Sequence, residues 1–170
     1  MLAPFNFQKW IDDHRDVLKP PVGNKQVYKD STFIVMVVGG PNARTDFHVN
    51  QSDEFFYQLE GDIHLKTINK EGDFEDIHIR EGEIFMLPAL TPHSPQRPAN
   101  TVGLVIEKTR EEHERDGLQW YCQSCGNKLY EEFFHLSNIE TQFGAVFDRY
   151  YNSDHVNCSK CGKVNGRTWD

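Results

Sequence analysis

The chain has 170 residues, a formal net charge of -8 and a sequence pI near 5.4. That length suits one domain with an appendage, and the acidic balance, with no basic stripe, argues against nucleic acid as a partner. No apolar run is long enough to span a bilayer and Met1–Phe7 lacks the charged and apolar regions of a signal peptide, so a cytoplasmic address is expected, without membrane contact, and the four cysteines read as metal ligands before disulfides.

The spacing of Phe7, Trp10, Ile11 and Leu18 predicts a packing helix over Asn6–Lys19, capped by Asn6 and stopped by Pro20 and Pro21. From Val27 the pattern turns to strands. Phe33–Val38 is a continuous β-branched run, expected to be covered on both faces, and Gly39-Gly40-Pro41-Asn42 breaks it. Further short strands are expected at 55–59, 63–68, 74–79, 84–87 and 102–107, each bounded by Gly, Pro, Asn or Asp. Many short, punctuated strands predict a sandwich or barrel. Thr109–Gly117 reads as a charged linker, after which a cysteine-bearing tail begins. Within the tail, Ile139, Phe143, Val146, Phe147 and Tyr150 fall on one helical face.

Two segments carry the candidate chemistry. Arg44–Gly61 contains Arg44, His48 and Glu54 ahead of a strand-like run; Gly82–Arg97 contains Pro88, His93 and Arg97. Two imidazoles and one carboxylate form a set that holds a ferrous ion on one face and leaves the opposite positions open. Glu107 ends the apolar run from Val102, on the same alternating face as Gly103 and Val105. If the strand continues that far, its carboxylate enters an enclosed face and needs a partner there. If the strand stops at Ile106, Glu107 simply opens the linker.

Gly82, Pro88 and His93 resemble the second motif of the cupin superfamily, and His48, Glu54 and Gly61 its first. The second histidine of the usual first motif is Asn50 here; the second motif's internal glycine is Leu90 and its terminal asparagine Arg97. Those departures closely resemble the 3-hydroxyanthranilate 3,4-dioxygenase family, as do Leu18–Asn24, Val38–Asp46, Glu54–Leu59, Ser94–Arg97 and Leu104–Glu107. The resemblance implies a mainly β fold, a cupin (jelly-roll) barrel with a few helices. It implies His48, Glu54 and His93 as ligands of a catalytic Fe(II), and Arg97 as the clamp on the substrate carboxylate. Glu107 would meet the polar ring substituents, with Glu54 also touching substrate, and Arg44 would lie beside dioxygen. The implied reaction inserts both atoms of O2 into 3-hydroxyanthranilate, giving an amino-carboxymuconate semialdehyde that closes to quinolinate, in NAD biosynthesis or tryptophan degradation. The implied assembly is a homodimer.

Cys122-x-x-Cys125-Gly126 and Cys158-x-x-Cys161-Gly162 place all four cysteines in two matched knuckles, a tetrahedral site for a second iron or a zinc. They resemble rubredoxin, and their expected role is to staple a tail with little core of its own. The expected organisation is a catalytic barrel over 1–115 and a rubredoxin-like metal-binding tail over 116–170. Two competing readings stay open: a cupin dioxygenase acting on a catechol or a thiol, and a metal-stapled sensor or partner-binding module without catalysis.

Overall fold

The computed structural model describes residues 3–20 and 23–169, so Pro21 of the expected helix stop lies outside the described residues. In chain order the elements are α1 (Phe7–Asp13), β1 (Asn24–Gln26), β2 (Phe33–Gly39), β3 (Asp46–Val49), β4 (Glu54–Glu60), β5 (Ile63–Ile68), β6 (Phe74–Ile79), β7 (Ile84–Leu87), β8 (His93–Gln96), β9 (Val102–Lys108), β10 (Asp116–Tyr121), β11 (Lys128–Phe134) and α2 (Phe143–Tyr151). The strands form two sheets, ordered β1-β2-β9-β4-β7 and β11-β10-β3-β8-β5-β6. Every named pairing is antiparallel, and strands distant in sequence lie side by side, which is the jelly-roll way of closing a β fold. The mainly β, barrel-like class expected from the sequence is the one observed.

Alternation supplies the core. Ile34, Met36, Phe56 and Val105 from one sheet meet Ile63, Leu65 and Ile79 from the other in a single buried cluster. β2 is covered on both faces, as its unbroken apolar run predicts. Val37, on the face opposite Ile34 and Met36, packs with Ile11, Leu18 and Val102. Each such buried aliphatic side chain contributes about 1.5–3 kcal/mol of transfer free energy.

α1 is capped as expected, with Lys9 N donating to Asn6 Oδ1 at 2.8 Å, but it ends at Asp13 instead of Lys19. Asp12 and Asp13 occupy its last turn with no basic residue there, the wrong sign for the negative end of the helix dipole. The chain continues in turns, and Leu18 is still buried.

β10 and β11 extend the six-stranded sheet, with Gly117–Trp120 paired to Asp46–Val49. The position between residues 115 and 116 is therefore the entrance to a strand of the same sheet as β3. α2 closes over this region: Val146 and Tyr150 pack on Leu118, Trp120 and Leu136. The reading of Thr109–Gly117 as a charged linker is corrected, because the Arg110 and Asp116 side chains are buried in an ion pair.

Candidate active site

The site lies between the two sheets, and register builds it. His48 on β3 stands directly opposite His93 on β8. In the other sheet Glu54 on β4 stands directly opposite Glu107 on β9. A pair of imidazoles thus faces a pair of carboxylates, and all four residues are buried. His48, Glu54 and His93 each offer one donor atom, and these atoms lie within 4.8 Å of one another. His93 Nε2 is 3.0 Å from Glu54 Oε2, and the two imidazole centroids are 5.2 Å apart. Two ring nitrogens and one hard oxygen, all from buried side chains, are a donor set that fits a divalent transition metal. The turn before His93 is held by Leu90, whose N–H donates to Asn50 O at 2.8 Å. Leu90 has φ of 64°, the left-handed conformation that glycine adopts at low cost, which accounts for the glycine that the cupin motif places here.

Burial opposes the charge on Glu54, but the neighbouring His93, His48 and Arg110 outweigh it and hold its carboxyl below the usual range. Burial also opposes protonation of His93, yet Glu54 beside it lifts the imidazole above its ordinary value. Glu107 goes the other way: burial and the nearby Glu54 charge push it up against the pull of Arg110. The two facing carboxyls are therefore driven apart in acidity, with Glu54 the anionic partner.

Three residues that sequence reasoning did not assign complete this arrangement. Asp116 Oδ2 lies 2.6 Å from His48 Nε2 and fixes the orientation of that ring. Arg110 forks onto Asp116 and also donates to Glu107 Oε2 at 2.7 Å. Burial works against the Asp116 anion, and Arg110 and His48 more than offset it, so its carboxyl sits below the usual range. Asn50, where the second histidine of a cupin's first motif would stand, donates to Glu107 Oε2 at 2.9 Å and Glu54 Oε2 at 3.3 Å. It replaces a ligand with an amide that holds the two acids together. Only the departure at Asn50 was visible in the sequence; Arg110 and Asp116 sit in a run of charges that looks solvated.

A cavity of about 480 Å³ opens onto these groups, bordered by Arg44, Arg97, Glu107, Phe143 and Phe147. Arg97 is buried and donates through Nη1 to Gln58 Oε1 at 3.2 Å, while its Nε has no partner. Among the described residues no carboxylate lies within ion-pair distance of it. Burial, and the nearby Arg44 cation, bring its pKa down to about 10, so the guanidinium is still charged at neutral pH. Gly103 makes room for it, since a Cβ there would lie 2.7 Å from Arg97 Nη1. Glu107 is in the strand and buried, and its Oε1 also lacks a partner. Arg44 borders the same cavity with its guanidinium 5.5 Å above the rings of Phe143 and Phe147, so α2 supplies part of the wall. The helix was legible from its periodicity; that it roofs the pocket was not.

The second cluster is of a different kind. Cys122, Cys125, Cys158 and Cys161 converge, with Sγ separations of 3.5 Å for Cys122–Cys161 and 3.6 Å for Cys125–Cys158. These distances are far from a disulfide bond and near the roughly 3.8 Å between thiolates around an ion with ~2.3 Å bonds. The two knuckles are built alike: Gly126 N donates to Cys122 O at 2.9 Å and Gly162 N to Cys158 O at 2.8 Å. Gly126 and Gly162 have φ of 67° and 77°, which is why glycine follows each second cysteine. Burial resists ionisation of Cys158, but the backbone N–H groups of Cys161 and Lys160 pull its thiol down to about 6. The four-thiolate donor set fits zinc or iron.

Comparisons with known proteins identify the family. A family model described as 3-hydroxyanthranilic acid dioxygenase matches residues 1–151. A protein from Xanthomonas euvesicatoria pv. vesicatoria named 3-hydroxyanthranilate 3,4-dioxygenase is 55% identical over 165 residues, covering 96% of this chain and 93% of that one. Proteins of the same name from Jannaschia sp. and Bacillus thuringiensis are 51% and 44% identical, each covering 96% of this chain and, respectively, 91% and 92% of their own length. Among solved structures, a cupin-2 domain containing protein from Shewanella frigidimarina aligns with 16% identity and a TM-score of 0.48, over 61% of this chain and 93% of that chain. The chain belongs to the 3-hydroxyanthranilic acid dioxygenase family.

Proposed function

We propose that this protein is an Fe(II)-dependent ring-cleaving dioxygenase that converts 3-hydroxyanthranilate and O2 to 2-amino-3-carboxymuconate semialdehyde. The observation that carries the reading is Arg97. It is a buried, unpaired cation with an unpartnered Nε beside a three-donor cluster, and the relatives are named for a substrate that bears a carboxylate next to a chelating pair.

His48, Glu54 and His93 would hold the ion. Bound there, Fe(II) would supply adjacent open positions where an aromatic with neighbouring hydroxyl and amino groups and a molecule of O2 can meet. The chain's own residues do the rest. Arg97 takes the substrate carboxylate in a two-pronged contact and so sets which ring edge reaches the donors. Gln58 holds Arg97 in position. Glu107, held by Asn50 and Arg110 at one oxygen, keeps Oε1 free for a ring substituent and is poised by its raised pKa to exchange a proton there. Arg44 stabilises negative charge developing on dioxygen. Phe143 and Phe147 narrow the entrance and keep water back. Both oxygen atoms enter the product as the ring carbon–carbon bond beside the hydroxyl-bearing carbon breaks, so no external reductant is consumed. The product closes to quinolinate, which points to NAD biosynthesis or tryptophan breakdown. Zinc or iron at the cysteine cluster would staple residues 116–170. A homodimer is the proposed assembly, supported by exposed Ile84 and Met86 on the edge strand β7. A cytoplasmic setting fits the four free thiols.

The test is oxygen uptake by Fe(II)-loaded protein. One O2 per 3-hydroxyanthranilate without added reductant is expected. Inertness toward that substrate alongside cleavage of a plain catechol would overturn the assignment.

A further inference from the structure

Arg44 is held in part from the far end of the chain. Its carbonyl accepts from Trp169 Nε1 at 2.9 Å, and Arg44 forms an antiparallel bridge with Thr168. Next to it, the Thr45 hydroxyl donates to Gly166 O at 3.3 Å and is 2.8 Å from the Tyr151 hydroxyl. The Trp169 ring packs edge-on against Phe47, with Lys66 Nζ 4.9 Å from its centroid. Within the barrel, Ser94 and Gln96 complete the hold on the Arg44 carbonyl, at 3.2 and 3.0 Å.

The segment that makes these contacts is itself pinned by the cysteine knuckles. Asn165 Nδ2 donates to Val156 O and Lys163 O, and its Oδ1 accepts from Gln123 N at 2.9 Å, inside the first knuckle. Gln123 Nε2 reaches Thr168 O at 3.0 Å. One knuckle therefore launches the segment and the other ties it down before it reaches Arg44. A stapling role alone needs no contact with β3. Here the staple ends on the residue that enters the strand of His48.

We infer that residues 164–169 are a strap through which the four-cysteine lobe positions Arg44 and the start of β3, with Trp169 as the principal positioning residue. The consequence for catalysis rests on the role given to Arg44 above; the mechanical coupling does not.

The experiment uses the full chain with both metal sites loaded and compares Trp169→Phe, which keeps an aromatic ring but loses the N–H, with Trp169→Ala and Cys158→Ser. Amide hydrogen exchange of residues 44–49 is the readout that needs no turnover. Loss of one hydrogen bond to a backbone carbonyl is expected to speed it about three- to tenfold in Trp169→Phe, and more in Trp169→Ala, with β4 and β7 of the other sheet unchanged. The KM for O2 should rise about threefold while that for the aromatic stays level. Unchanged exchange at 44–49 in both tryptophan variants would overturn the strap, as would a uniform rise across all strands. Cys158→Ser should reproduce the local effect; if it does not fold, the tryptophan variants decide. Faster exchange with an unaltered KM for O2, matched by Arg44→Ala with the same kcat and KM for O2 as the unsubstituted protein, would keep the strap and refute the role of Arg44.

Discussion

The two candidate metal sites solve opposite problems. In the cysteine lobe four sulfurs converge, and each knuckle is closed by a glycine N–H donated to the carbonyl of its first cysteine. Four protein donors complete a tetrahedral set, the pattern of a structural centre. Between the sheets three donors converge among the described residues, a cavity opens beside them, and its lining includes buried polar atoms without hydrogen-bond partners, Glu107 Oε1 and Arg97 Nε among them. Unsatisfied buried groups cost stability, and those in the cavity are the ground for proposing that a ligand meets them there. A closed donor set reads as support and an open one as chemistry.

Removing a donor should separate the sites most sharply. His93→Ala is expected to abolish turnover and lose one metal per chain while the cysteine-bound metal stays, as measured by elemental analysis beside oxygen uptake. Loss of both metals together would break the comparison. Arg97→Ala comes next. It should raise the KM for 3-hydroxyanthranilate about 100-fold with metal content unchanged, because a charge-assisted two-pronged contact is removed and Gln58 Oε1 loses its donor. Steady-state kinetics with intact KM would end the clamp role. Asp116→Asn keeps shape but removes the anion that orients His48 and pairs with Arg110. A loss of ~10–100-fold in affinity for Fe(II) is expected at the open site alone, read by competition with a chelator. Gly103→Ala should have the smallest effect. Its new Cβ must displace the Arg97 guanidinium, so KM should rise about tenfold with little change in kcat or melting temperature.

The sequence and the structure agree where apolar patterning speaks. β2, β4, β5, β6, β7 and β9 were all expected from runs of Val, Ile, Phe and Leu between turn residues. β3 and β8 were not drawn as strands. Asp46-Phe-His-Val and His93-Ser-Pro-Gln are four residues each and at least half polar, because His48 and His93 on them are spent on the site instead of on core. The motifs still revealed His48, Glu54 and His93, since spacing survives where hydrophobicity is absent. Arg110 and Asp116 stayed hidden for a different reason. A buried ion pair and a solvated charge have the same letters, and only the fold of β10 beside β3 decides between them. Likewise Phe143 and Phe147 announced a helix but not what it covers.

The central claim is that His48, Glu54 and His93, from three strands in two sheets, share one ion that also takes the substrate. The most direct measurement is an anaerobic titration of Fe(II)-loaded protein with 3-hydroxyanthranilate, followed by admission of oxygen. The account predicts a spectral change with an end point of one substrate per open site, then equimolar O2 consumption, and neither response in His93→Ala. A flat titration, or an equal response from His93→Ala, would contradict it.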